Sequence, residues 1–355
     1  MTNTLDKAKM KAFGQKLMGD ISAMALGSLA YIGDKLDLFK QLAESGPITS
    51  EGFAERTGCD ARYIREWLSA MAASGWIEYD PQTELFTLPP EHVPFLAVEN
   101  HPRFMGGLLE AIVPFTHVTP AIMDCFQHGG GVAYHEHHPD MPRVIDRISA
   151  PHFNNFLTQF WLPKLLPAVH QRLTEGAIVA DVGCGTGRAL ILMAKAYPNS
   201  QFTGYEPNGQ SAEQAREMIA QAGVEGNAQI VNGAADAMPD QHYDFITTFD
   251  VIHDCVDPQT VINDIQRALK ADGTYLMQEI NASHHLEEML HPLGRFFYSM
   301  STMYCMTVSL AHGGAGIGTC MGEELPRQMC TQAGFSHFRK LKFKHPSLVL
   351  YEIRD

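Results

Sequence analysis

The sequence predicts an α/β protein: a Rossmann-like, mainly parallel seven-stranded sheet, preceded by an all-α, winged-helix N-terminal domain. Three observations lead there. Strand and helix patterns alternate from Ala177 onward, a glycine-rich turn closes the first of those strands, and the first hundred residues read as helices followed by a short hairpin. At 355 residues the chain has room for more than one domain. The expected division is a winged helix over 1–100, a helical connector over 101–172, and a ligand-binding domain over 173–355.

In the first stretch, Ala25, Leu26, Leu29, Ile32, Leu36 and Leu38 form an apolar stripe at roughly helical spacing. Pro47-Ile48-Thr49-Ser50 opens another helix, with Thr49 or Ser50 as its N-cap. Asp60 caps the next, on which Tyr63, Trp67, Leu68 and Met71 are expected to share a face. Trp76–Tyr79 and Leu85–Leu88 read as two strands around an Asp80-Pro81 turn. Residues 101–172 are mostly helical and broken by Gly129-Gly130-Gly131. Beyond them the pattern runs strand 177–182, helix from Arg188, strand 201–205, helix from Ser211, strands 228–231 and 245–249, helix 259–269 and strand 274–279. Alternation of this kind makes a parallel sheet with helices on both faces, whose ligand lies beyond the carboxyl ends of the strands.

Composition removes several function classes. The chain is 45% apolar and 19% charged, as in ordinary globular proteins, and its formal charge of −14 argues against nucleic acid or an anionic membrane as partner. The seven cysteines are scattered without a CxxC pair, so neither a disulfide framework nor a zinc ribbon is expected. With no apolar leader in Met1–Leu17 and no apolar run long enough to span a bilayer, the expected location is cytoplasmic.

Asp181-Val182-Gly183-Cys184-Gly185-Thr186-Gly187 follows an apolar strand and opens a helix. Its GxGxG spacing differs from the GxGxxG of dinucleotide sites. A pyrophosphate seeks N–H groups and a helix N-terminus, so a carboxylate at Asp181 would repel it. S-adenosylmethionine (SAM) carries an ammonium and a sulfonium, which that carboxylate favours. Glu206, at the end of the next strand, can accept hydrogen bonds from both hydroxyls of a ribose.

Residues 177–187 with Glu206 resemble the first two motifs of class I SAM-dependent methyltransferases. Gly33-Asp34-Lys35-Leu36, Arg62 through Leu68, Gly129 through Tyr134, and His253-Asp254 extend the resemblance to small-molecule methyltransferases with an N-terminal winged helix. The resemblance implies SAM as cofactor, held by Asp181, Gly183, Gly185, Gly187 and Glu206, with Asp250 after the fourth strand added to the set. Many relatives place an acid where this chain has Ala234; Asp236, two residues on, is the replacement candidate for holding adenine. The resemblance also implies a homodimer built by the winged helix. The alternative of a SAM-responsive regulator would need a basic recognition helix, and the helix after Asp60 offers only Arg62 and Arg65.

His253, just past the fourth strand, corresponds to the histidine that removes the acceptor proton in oxygen-methylating relatives, and imidazole suits that role at neutral pH. Here the run is His253-Asp254-Cys255-Val256-Asp257, without the usual aromatic. Tyr134, beside the glycines, and Tyr298, in the insertion Arg295–Met306, are expected in the acceptor pocket. That insertion's Met, Cys and aromatic residues favour the sulfur of a small thiol slightly over a hydroxyl oxygen as methyl acceptor. His135-Glu136-His137-His138 reads as a solvated loop, and no metal is expected.

Overall fold

The computed structural model describes residues 5–355, and the chain divides into two compact units, Met1–Val113 and Pro114–Asp355. Residues 1–4 of the predicted winged-helix domain lie outside the described residues, and the stretch 101–172 is shared between the two units.

The first unit opens on a long helix, Lys7–Lys35, capped by Asp6, whose carboxylate accepts from the Ala8 and Lys9 amides. Only Ala30 and Gly33 of this helix are buried. Gly33 is needed there, because a Cβ would stand 2.6 Å from the Trp67 ring. The predicted stripe does not run on to Leu38: Asp37 adopts a left-handed conformation (φ 54°) and starts a separate helix, Leu38–Ser45. Ile32 and Leu36 are left exposed before that break.

Thr49 caps the helix Ser50–Thr57 and Asp60 caps Ala61–Ala73, as their sequence positions require. On the latter, Ile64, Trp67, Leu68 and Met71 form the buried face. Tyr63 is 80% exposed, since the i, i+3, i+4, i+7 set begins at Ile64 and leaves position 63 outside it. Strands β1 (Glu78–Asp80) and β2 (Leu85–Thr87) pair as an antiparallel wing, and Ile48 bridges to Phe86. The strand begins at Glu78 rather than Trp76 because the helix end, Ser74-Gly75, turns the chain there.

The second unit holds seven strands: β3 (Ile178–Val182), β4 (Gln201–Tyr205), β5 (Ala228–Val231), β6 (Tyr243–Phe249), β7 (Leu269–Ile280), β8 (His337–Lys340) and β9 (Leu348–Arg354). Their order is β5-β4-β3-β6-β7-β9-β8, parallel except that β9 runs against both neighbours. Helices pack on both faces. One core gathers Trp161, Leu190, Met193 and Phe245; the other gathers Ile262, Ile265, Tyr275 and Cys330. The chain lays down β3, β4 and β5 in one direction and then returns to place β6 on the other side of β3. The topological switch thus falls between β3 and β6, where an open parallel sheet leaves a crevice for ligand.

Candidate active site

The crevice begins with backbone conformation. Gly183, Gly185 and Gly187 all have positive φ (68°, 55° and 83°). Gly185 has open space where a Cβ would stand, while a Cβ on Gly183 would meet Val251 at 2.8 Å. Gly187 then starts the helix Arg188–Ala196. A cavity of about 110 Å³ lies above this turn, bounded by Tyr134, Asp146, Asp181, Gly185, Arg188 and Tyr304, among others.

Two carboxylates sit beside the turn. Asp181, on β3, is 1% exposed and accepts a 2.7 Å hydrogen bond from the Thr247 hydroxyl on β6, its register partner. Burial pushes its pKa up to about 7; the Thr247 bond opposes this and Glu206 adds to it. Glu206 accepts from the Gly185 amide (2.9 Å) and the Asn208 amide (2.9 Å). Burial raises its pKa against those two bonds. Neither acid has a cationic partner among the described residues. Two buried, uncompensated carboxylates beside an open glycine turn fit a cationic ligand bearing hydroxyls, which is the chemistry of SAM. Asp181, Glu206 and the glycine backbone would hold it, and it would supply an electrophilic methyl group.

A second cluster stands at the ends of β6 and β7. His253, in a short 3₁₀ turn after β6, is 3% exposed, with Nδ1 2.5 Å from Glu279 Oε2 and Nε2 3.0 Å from Asp254 Oδ1. Glu279 also accepts from the Ile252 amide, which fixes its orientation. Burial works against charge on the imidazole, but Asp254 and Glu279 outweigh it and hold the pKa well above the usual histidine value. The ring is thus held between two carboxylates, which favour its protonated form.

The structure separates the residues that the sequence grouped. Asp181, Gly183, Gly185 and Tyr134 border the cavity, with Glu206 bonded to the turn and Gly187 at its end. Asp250 lies instead with His253 and Glu279, in a left-handed conformation (φ 56°), and accepts from Gln278 Nε2 at 2.7 Å. Burial, with Glu279 second, pushes its pKa to about 7. Asp236 is exposed in the turn Ala235–Ala237, with its carbonyl facing Arg267. Tyr298 is 37% exposed and its hydroxyl faces the Cys320 thiol.

The tetrad 135–138 is not uniformly solvated, because His137 is 5% exposed with its ring edge against Tyr304 (5.0 Å between centroids). Sequence reasoning missed Glu279, Thr247 and the bidentate pair of Arg188 with Asp146 (2.7 and 2.5 Å). Glu279 carried a signal, since a charged residue following the apolar run Tyr275–Met277 into the sheet needs a partner.

Residues 173–334 match the family described as a methyltransferase domain, and residues 23–98 match the Rv2258c-like winged HTH domain. With the fold and site above, these matches identify residues 173–334 as a class I SAM-dependent methyltransferase domain, preceded by a winged-helix domain, and its site fits SAM as cofactor.

Among solved structures, that of the mitomycin 7-O-methyltransferase MmcR is similar over 98% of this chain and 99% of its own, with 18% identity and a TM-score of 0.72. Human N-acetylserotonin methyltransferase in complex with SAM covers 100% of this chain and 99% of its own, with 16% identity and a TM-score of 0.66. At such identities the likeness speaks for the fold. Polyketide synthase ThaQ of Burkholderia thailandensis is 35% identical over 107 residues, 30% of this chain, and the chain spans 5% of that relative's length.

Proposed function

We propose that the protein transfers the SAM methyl group to a hydroxyl oxygen of a small molecule, with His253 as the base. The observation that carries this reading is the His253–Glu279 pair. A carboxylate bonded to Nδ1 fixes the ring and leaves Nε2, beside Asp254, as the nitrogen to take a proton, and a neutral hydroxyl needs such a base where a thiol, already partly ionised, does not. The oxygen acceptor in the name of the similar mitomycin 7-O-methyltransferase agrees with it.

The lean towards sulfur from the insertion's composition loses its footing. Within the insertion Phe297 and Tyr304 are buried, and burial pushes the Cys305 thiol to about 11, as for a neutral packing group. Asp181, Gly183, Gly185, Gly187 and Glu206 hold SAM, Asp236 is the candidate for its adenine, and Tyr134 and Tyr298 face the acceptor side.

The winged helix is read as a dimerisation module rather than a nucleic-acid reader. Arg62 of the recognition helix is paired with Glu66, and the described chain from Met10 through Phe13, Leu17, Ile21 to Met24 presents exposed apolar residues at helical spacing, a face that a second copy would cover. No helix among the described residues is long and apolar enough to cross a membrane.

The test is S-adenosylhomocysteine release with phenols, thiols and amines as acceptors, wild type against His253→Ala. Turnover of phenols that is lost in the variant supports the reading. Turnover confined to thiols, or full activity in the variant, sinks it.

A further inference from the structure

His284 and His285 stand just past the end of β7, and Glu324 opens the helix Glu324–Ala333. One nitrogen of each imidazole and one oxygen of the carboxylate lie within 4.8 Å of one another, at the exposed surface. Neighbouring residues of an extended chain point to opposite sides, so a local turn is needed to bring two such rings together. Ser283 Oγ accepts from the His285 amide at 3.1 Å, the Ser283 amide donates to the Met289 sulfur, and the ring centroids come to 3.9 Å. Gly322 (φ 74°) gives His284 its place, because a Cβ there would stand 2.8 Å from Nδ1 and 3.1 Å from the His284 amide nitrogen. Nδ1 therefore faces backbone, and Nε2 is the nitrogen towards Glu324, 3.6 Å from Oε2. That separation is too long for a hydrogen bond. It is close to the spacing of two ligands on one tetrahedral zinc ion, about 3.3–3.4 Å for bonds of 2.0–2.1 Å. Among the described residues His284 is the one ion-pair partner of Glu324, whereas the adjacent Glu323 is held by Arg327 and Lys340.

We propose that His284, His285 and Glu324 form a surface site for a borderline divalent cation of the zinc class. Two imidazoles and a carboxylate are a donor set that suits such an ion better than magnesium or calcium, which seek oxygen alone, and water completes four-coordination. The position of the site gives it a use. His284 and His285 precede the insertion Arg295–Met306 and Glu324 follows it, so one ion ties together the two ends of the segment that carries Tyr298 and Cys305. Closing a long loop at its root removes entropy from its open forms, which is how a metal clip stabilises a fold. No motif spacing signalled the site, because the histidines are adjacent and the carboxylate arrives only after the insertion. The proposal requires nothing of the methyl acceptor and stands apart from the oxygen reading.

The experiment titrates the tag-free chain with Zn²⁺ alone by calorimetry, in wild type, His285→Asn and Glu324→Gln, and repeats the titration with Co²⁺ to read the coordination by visible absorption. Wild type should bind zinc saturably, and each substitution should weaken that binding by about tenfold or more, since even changes behind a metal ligand cost that much. Both side chains are exposed, so the metal-free variants should melt with the wild type. Zinc should raise the melting temperature of wild type and slow amide exchange over residues 281–323, and do neither in the variants. Bound Co²⁺ should show tetrahedral nitrogen and oxygen ligation without a thiolate charge-transfer band. Absence of saturable zinc binding, or an affinity unchanged in both variants, overturns the inference. So does a thiolate band, which would place the ion at the His253–Asp254–Cys305 cluster instead.

Discussion

The hydroxyl of Thr247 donates to the carboxylate of Asp181 at 2.7 Å, joining β3 to β6 at the point where the strand order reverses. It is a single bond set against full burial, and burial wins, with the carboxyl pKa pushed up to about 7.

SAM affinity should therefore depend on pH. Asp181 titrates near 7 in the folded protein and near 4 when unfolded, so the folded state holds an extra proton between those values, and stability is lost as pH rises through that window. A cationic ligand reverses the preference, because it binds the ionised acid. Below pH 7 binding must expel the proton, and affinity should fall by up to about tenfold per pH unit. Calorimetry in buffers of different ionisation enthalpy should show proton release at pH 6 that vanishes by pH 8. Asp181→Asn should flatten the dependence and weaken binding throughout; a pH-independent affinity in wild type would refute the assignment.

Glu206→Ala should weaken SAM binding by about 1.5–3 kcal/mol, the scale of hydrogen bonds to a charged group. Because Glu206 also accepts from the Gly185 and Asn208 amides, the variant should loosen the turn, seen as faster amide exchange at Gly185. Unchanged affinity by calorimetry removes Glu206 from the cofactor site.

For the base, the sign of the pH effect is the discriminating measurement. Asp254 and Glu279 favour the protonated ring over the opposing effect of burial, so activity should rise with pH as Nε2 loses its proton. Glu279→Gln removes one of those charges and should move the acid limb of the pH–rate profile to lower pH, while lowering the plateau because ring orientation is lost. His253→Ala should leave SAM affinity within a few-fold and reduce turnover of a hydroxyl acceptor by about 10²–10⁴. An acid limb that stays in place in Glu279→Gln would show that His253 is not the titrating base.

Gly131 lies where a Cβ would stand 2.0 Å from the Thr307 carbonyl and 2.4 Å from the Ala311 amide, both backbone atoms. Gly131→Ala should destabilise the protein by about 1–3 kcal/mol or more through overpacking, read as a lower melting temperature. The shift should also reach Tyr134, three residues on at the cavity wall, so the SAM-induced rise in melting temperature should shrink. A variant as stable as wild type would mean that the two segments separate freely in solution.

If the helix Lys7–Lys35 covers a second copy, Phe13→Glu with Ile21→Glu should convert a dimer to a monomer by light scattering without loss of helicity. A wild-type monomer, or a dimer indifferent to the double change, removes the exposed stripe from any such role.

The fold was legible where a single local rule operates. Thr49 and Asp60 cap helices because a short oxygen side chain before an apolar period has few other uses, and the GxGxG turn reports its own backbone conformation. Asp181 and Glu206 were legible as a pair because each ends a strand next to that turn. Glu279 was not, since this partner of His253 arrives from β7, 26 positions later. Such pairings are set by sheet order, which periodicity does not encode. Tyr63 failed for a smaller reason: a stripe counted one residue early still looks helical, and only packing against Phe39 and Phe53 selects Ile64 and Trp67.

Asp181, Glu206, Asp250, Asp254 and Glu279 all lie at the same carboxyl edge of the sheet, on or just past the ends of β3, β4, β6 and β7. The edge is thereby an ion-selective rim, and it meets two ligands that differ by one unit of charge. The methyl donor arrives with a sulfonium; the spent thioether leaves without it. A rim of carboxylates attracts the first more strongly than the second, so exchange of used for fresh cofactor is favoured by the same electrostatic field that admits it.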